Sequence, residues 1–370
     1  MSNNKIYFPH YREEDKALAD IMTAFNIADE KLHYLPSKGD EVKIVNVHIP
    51  EGEYQFLHEA AIIEYHEVLF ASWYSNFKTE LNGRTPICER RSYDGGKTWS
   101  DIKIIADDGS ERIIYCPPVY GICDDKLYML INEMVKADHI HALDLFVLDE
   151  ESDRFVKLWS RPIPFKLNTN VVTLNNGKLM LPGRIAEIDG FPNTPAVLIS
   201  DSGKIDAEWR LVKIAENGKL PDGEEYVHPE CSSVVLENIV YMFCRNDNRH
   251  VPIMYISEDN GETWSEPMAI NIPFIHSKIY SGTLSDGRNY VVGNVLNIDR
   301  TKLAIYFSEK GSMHFNDAIL LTDGAISEFP DAKAWHYPCA VESNGELKII
   351  CSLSYENDSR GAALITVPIN

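Results

Sequence analysis

Six times along 370 residues a short polar turn is followed by an alternating apolar stretch, and no other feature constrains the fold as tightly. The turns are marked by His66, Asp125, Asn176, Asn238, Asp286 and Asn344, at intervals of 59, 51, 62, 48 and 58 residues. Asn, Asp and Gly tolerate the positive φ of tight hairpins, so each marker reads as a strand–turn–strand. A second series runs out of phase with the first: Trp99, Trp159, Trp209, Trp264 and Phe315, at steps of 60, 50, 55 and 51. Each unit therefore reads as four short strands. One such sheet cannot bury both of its faces, but six arranged radially bury them against each other, and closure leaves only short edges. The spacing predicts an all-β, six-bladed β-propeller over residues 42–370. The strand Val42–His48 precedes the first unit and is placed to pair with the last, near Ala362–Val367, closing the ring. Residues 1–41 form an N-terminal extension, with no Pro/Ser-rich linker to separate them. In it Leu18, Ile21, Met22 and Phe25, at i, i+3, i+4 and i+7, predict a helix packed on the propeller.

Charge narrows the partners. Lys and Arg number 35 against 56 Asp and Glu, a net charge of −21. Nucleic-acid binding rests on basic surface that displaces counterions, so this balance argues against it, and against anionic membranes. An anionic ligand would need a local cluster of Arg and Lys. No stretch approaches the ~20 apolar residues of a membrane span, and the first residues lack the apolar run of a signal peptide; the expectation is a cytoplasmic protein. The seven cysteines form no CxxC pair or zinc spacing, which points to reduced, buried thiols and no metal or cofactor.

Two segments share the pattern Ser-x-Asp-x-Gly-x-Thr-Trp: Ser92–Trp99 and Ser257–Trp264. The pattern resembles the Asp box of sialidases and their BNR-repeat relatives, and the resemblance covers about residues 42–367. It implies a sialidase-like propeller in which the box is structural. Its Ser and Asp bond backbone in the turn between outer strands, and its Trp packs beneath.

Chemistry is expected where the innermost strands begin, eight to ten residues before each hairpin marker. Those segments are 56–59, 115–118, 167–170, 227–230, 276–280 and 335–338. They are rich in His, Glu, Asn, Lys and Tyr, which suits a cavity wall better than a core, and His58, His228, His276 and His336 recur in them. A metal shared by these histidines would need them within ~4 Å of one another, which a wide ring mouth disfavours.

The resemblance assigns roles residue by residue. Sialidases pair a Tyr nucleophile with a Glu that takes its proton; Tyr337 and Glu230 stand at the matching places, because a phenol near pKa ~10 needs a base. Arg245 matches an arginine that grips the substrate carboxylate. The family's first arginine is missing from 56–59, where His58 stands. In place of its third are Lys278 and Tyr280. The acid-bearing loop offers Glu80 and Arg84. Arg184, His228, His336 and Arg300 complete the candidate substrate-binding set. The resemblance implies an exo-acting glycoside hydrolase that removes a terminal sugar from an acidic, sialic- or uronic-acid-containing oligosaccharide. Two alternatives stand beside it. One is a lyase in which His58, Tyr337 and Arg245 act on a uronate; the other is a non-catalytic glycan-binding propeller.

Overall fold

A computed structural model describes residues 5–34, 37–39, 41–137, 139–186 and 193–369. Six antiparallel sheets follow one another along the chain: 56–106, 114–161, 166–213, 231–270, 280–323 and 332–368. We number these blades 1 to 6. Every hairpin marker falls in the turn between the innermost and second strands of its blade, and positive φ occurs there at His66, Asp125, Gly177, Glu237, Gly287 and Asn344. The closing strand is Lys43–His48. It pairs antiparallel with Arg360–Pro368 as the outermost strand of blade 6, with Leu364 opposite Val45 and Ile365 opposite Ile44. The first and last parts of the propeller thus share one sheet, and unravelling at either end must break that sheet. Between blades the faces are packed with Val, Ile, Leu and aromatic side chains, among them the fully buried Trp73 and Trp335.

The two Ser-x-Asp-x-Gly-x-Thr-Trp segments form the same turn between third and fourth strands. In blade 1 the Ser92 hydroxyl donates to Asp94 (2.8 Å) and accepts from the Gly96 amide (2.8 Å), while Asp94 accepts from the Thr98 amide (2.9 Å). Ser257, Asp259, Gly261 and Thr263 repeat this in blade 4. Gly96 sits at φ +93°, and a Cβ there would collide with Leu364 of the closing sheet.

The extension differs from its predicted form. The helix is Glu13–Ile21, and its inward stripe is Asp15, Leu18, Ala19 and then Met22, with Ile21 pointing outward at 57% exposure. Phe25 is not helical: Thr23–Phe25 adds a parallel strand to Met268–Ile270 of blade 4. Ser37–Lys38 does the same beside Ile319 and Leu320 of blade 5. The helical spacing ends at Met22 because the chain then covers two open sheet edges, whose unpaired amides and carbonyls gain partners.

Two side chains, Asn170 and Cys339, bond backbone groups of blades 1 and 2 and so join four blades across the central channel part-way down. Asn170 of blade 3 donates to the Ile62 carbonyl of blade 1 (3.0 Å) and accepts from the Tyr120 amide of blade 2 (2.9 Å). The Ile62 amide approaches the Cys339 sulfur of blade 6 at 3.4 Å. Two mouths result, with separate linings. All seven cysteines are unpaired, and all but Cys123 are buried.

Candidate functional site

At one mouth the innermost strands break their register. The break lies between His58 and Ala61 in blade 1 and between His336 and Cys339 in blade 6. Within these bulges Glu59 has φ 55° and Tyr337 has φ 49°. A left-handed backbone is rare for side chains larger than Gly and costs of order 1–3 kcal/mol. A bulge also re-aims the side chain it carries. Here Glu59 and Tyr337 turn into a cavity of about 350 Å³, lined also by Glu230, Arg245, Asp247, Lys166, Arg184, Arg300, His228 and Glu80.

Arg245 organises the floor. It follows the second strand of blade 4, Ile239–Cys244, and is 6% exposed. Its Nη1 donates to the Tyr337 phenol oxygen at 2.6 Å and to Glu230 Oε2. Its Nε and Nη2 grip both oxygens of Asp247 at 2.6 and 2.7 Å. Asp247 Oδ2 is also 2.8 Å from His228 Nδ1. Opposite, the Lys278 ammonium donates to Glu59 and stands 5.4 Å from the centre of the Tyr337 ring. Arg300 approaches the same ring at 5.8 Å and donates to the His276 carbonyl at 3.0 Å.

Electrostatics separate the two buried carboxyls. Burial pushes Glu59 up, and Lys278 only partly opposes it. Burial would raise Glu230 too, but Arg245, with Lys278 and Arg184 behind it, outweighs that and holds Glu230 below the usual carboxylate range. Burial pushes the Tyr337 phenol up while Arg245 pulls it down, so it rests neutral. One protonatable acid, one fixed carboxylate and one neutral phenol therefore share a small space, the arrangement by which environment assigns acid and base roles.

The sequence-derived candidates are sorted by this geometry. Tyr337, Glu230, Arg245, Arg184, Arg300, His228 and Glu80 line the cavity, and Lys278 reaches it through Glu59. His58 does not: it is 1% exposed and stacks edge-on behind Tyr337 at 4.1 Å, because the bulge hands the inward direction to its neighbour. Burial drives its imidazole down, so it packs as a neutral ring. His336 faces an adjoining groove, bonded to Ser354 (2.7 Å) and near Arg300. Arg84 turns away to pair with Asp107 and fixes the Glu80 loop from outside. Tyr280 lines the opposite mouth with Ser233, Thr283 and Tyr290.

Three charged lining residues were absent from the candidate set: Glu59, Asp247 and Lys166. Glu59 adjoins His58 in sequence and is hidden by the bulge. The Arg245-x-Asp247 spacing was the available signal for the second. Lys166 opens a split inner strand, Lys166–Leu167 then Val172–Thr173, that the hairpin count does not reach. Among the described residues no group of three or more His, Cys, Asp or Glu side chains is arranged to hold a metal ion.

The model of the BNR repeat-like domain matches residues 69–349, about three quarters of the chain. The chain belongs to the BNR repeat-like family. Solved structures agree on the six-bladed propeller. A protein of unknown function from Dyadobacter fermentans superposes with a TM-score of 0.70 at 13% identity, over 90% of this chain and 100% of that one. A mutant Trypanosoma rangeli sialidase displaying trans-sialidase activity gives 0.68 at 14% identity, over 90% of this chain and 60% of that one. The NanB sialidase of Streptococcus pneumoniae gives 0.64 at 10%, over 91% and 70%. This BNR repeat-like chain therefore spans about three fifths of the trypanosomal enzyme. No curated protein matches it in sequence.

Proposed function

We propose that the protein is an exo-acting glycoside hydrolase that removes a terminal acidic sugar, with Tyr337 as nucleophile, Glu230 as its base and Glu59 as proton donor. The observation that carries this reading is the convergence of a neutral phenol and two carboxyls of opposed acidity in one cavity. Its volume lies at the small end of the ~300–1,000 Å³ of ligand pockets, which suits one sugar ring rather than a chain. Four cations line it, Lys166, Arg184, Arg245 and Arg300, against Glu59, Glu80, Glu230 and Asp247. With Glu59 protonated the positive charges are in excess, within a chain of net −21. Such a pocket favours an anionic sugar. The trypanosomal sialidase has been solved in complex with sialic acid.

In this reading Glu59 gives its proton to the glycosidic oxygen as the bond to the anomeric carbon breaks. Tyr337 oxygen attacks that carbon, its proton passes to Glu230, and Arg245 stabilises the charge shared between them. Water then attacks the glycosyl–tyrosine bond, giving its proton to Glu59, and the phenol is reprotonated from Glu230. The elimination alternative needs His58 beside Tyr337 and Arg245 at the uronate, and His58 lies behind Tyr337, so hydrolysis is favoured. The test is to incubate the protein with sialosides and uronate-terminated oligosaccharides and weigh the products. Products heavier by one water in total support hydrolysis; an unsaturated sugar with no water added supports elimination. Binding with no product supports the non-catalytic reading.

A further inference from the structure

The N-terminal helix lies outside the family match, yet it is bonded to the loop that carries Arg245 and Asp247. Asp15 is a fully buried carboxylate. Its Oδ2 accepts from the Arg12 amide (2.7 Å) and Nε (3.0 Å), which caps the helix, and its Oδ1 accepts from the His250 amide at 2.8 Å. Arg12 Nη2 donates to the Asn248 carbonyl at 2.8 Å. Two backbone groups of the loop, one and three residues beyond Asp247, are thus held by one helix turn. The contact continues sideways: His250 Nδ1 lies 2.9 Å from His276 Nδ1, and the His276 carbonyl accepts from Arg300. Both arginines that flank the Tyr337 ring are therefore connected to the extension through His250.

We infer that the helix is a positioning element of the mouth, with Asp15 as the positioning residue that acts through the His250 backbone on Arg245 and Asp247. A buried carboxylate is costly unless fully bonded, and the helix could pack on Leu18, Ala19 and Met22 alone. The strand ends at Cys244, and although the Arg245 and Asp247 amides still bond the Glu230 and Val227 carbonyls and Arg249 pairs with Asp222, Asp15 adds the bond that holds the His250 amide. A misplacement of about 1 Å in a catalytic group can cost ~10²-fold in rate.

The inference rests on the hydrolase reading for its effect on turnover, so the test has two arms. In the first, amide hydrogen exchange is compared in the wild type, Asp15→Ala and Leu18→Ala. Asp15→Ala is expected to accelerate exchange at 246–251 and spare the blade 4 strands, and Leu18→Ala to lower thermal stability without that local effect. In the second, kcat and KM are measured on the best substrate. Asp15→Ala is expected to lower kcat ~10–100-fold. Asp15→Asn, which keeps an acceptor for His250, should restore most of the loss, and Leu18→Ala should leave kcat unchanged. Unchanged exchange at 246–251 in Asp15→Ala overturns the inference. So does a kcat that falls equally in Asp15→Ala and Leu18→Ala, or falls in neither. If the wild type turns over no glycan, the hydrolase reading fails, and the exchange arm alone decides whether the helix holds the loop.

Discussion

Replacing Arg245 by methionine keeps most of the side-chain volume and removes the charge that two buried acids share. Glu230 is 3% exposed and accepts from Nη1, while Asp247 accepts two bonds from Nε and Nη2. Breaking a buried pair from one side costs about 3–5 kcal/mol, because the remaining charge has lost its partner. Lys278 and Arg184 still act on Glu230 and His228 on Asp247, so the lower half of that range is expected. Urea unfolding at pH 8 and pH 5 measures it. The sign reverses between the proteins. In the wild type both carboxyls titrate below their ordinary range, so the stability they contribute is complete above the unfolded value near ~4 and is lost as pH falls through the lower folded values. In Arg245→Met burial becomes the dominant influence and raises both. The folded variant then binds protons more tightly than the unfolded chain and regains stability as pH falls from 8 to 5. The deficit should shrink by at least ~1 kcal/mol over that interval, and adding Glu230→Gln should recover part of it at pH 8. A deficit below ~1 kcal/mol at pH 8, or one independent of pH, would refute the reasoning and mean that water reaches these charges.

Tyr337→Phe should leave the fold intact and abolish turnover by at least ~10³-fold while a product sugar still binds, read by initial rates and calorimetry. The pH–rate profile should be bell-shaped: activity falls on the acid side as Glu230 gains a proton at its lowered value, and on the alkaline side as Glu59 loses its proton at its raised value. Glu59→Gln should cost ~10²–10⁴-fold and remove the alkaline limb. Gly96→Ala should destabilise by ~1–3 kcal/mol, measured by denaturant midpoint, because φ +93° and the Leu364 collision both oppose a Cβ. The same change should leave turnover intact, since that turn lies between the outer strands of its blade.

The propeller was legible in the chain because its signals are local. A turn needs Asn, Asp or Gly within a few residues, and a strand alternates with a period of two, so six hairpins and the closing strand could be placed without long-range knowledge. Tyr337 and Glu230 fall in segments placed by their distance from the turns, while their proposed roles, and Arg245 altogether, came from the family resemblance. The remaining assignments depended on geometry that no local rule contains. At the mouth Glu59 and Tyr337 stand seven residues before their turn marker, Glu230 and Lys278 eight, and Lys166 and His228 ten, while Tyr280, six before Asp286, lies beyond the closure of the channel and faces the other end. Register decided between His58 and Glu59, since one extra residue in a strand exchanges its two faces, and only pairing across the sheet reveals where that residue sits. Partner choice decided Arg84, drawn away by Asp107, and gave the extension's Asp15 its place against His250, 235 residues further along the chain. Amino-acid order determined how many blades form and where they turn; the packing of those blades determined which side chains share the cavity, because charges remote in sequence set one another's protonation only once folding has buried them together.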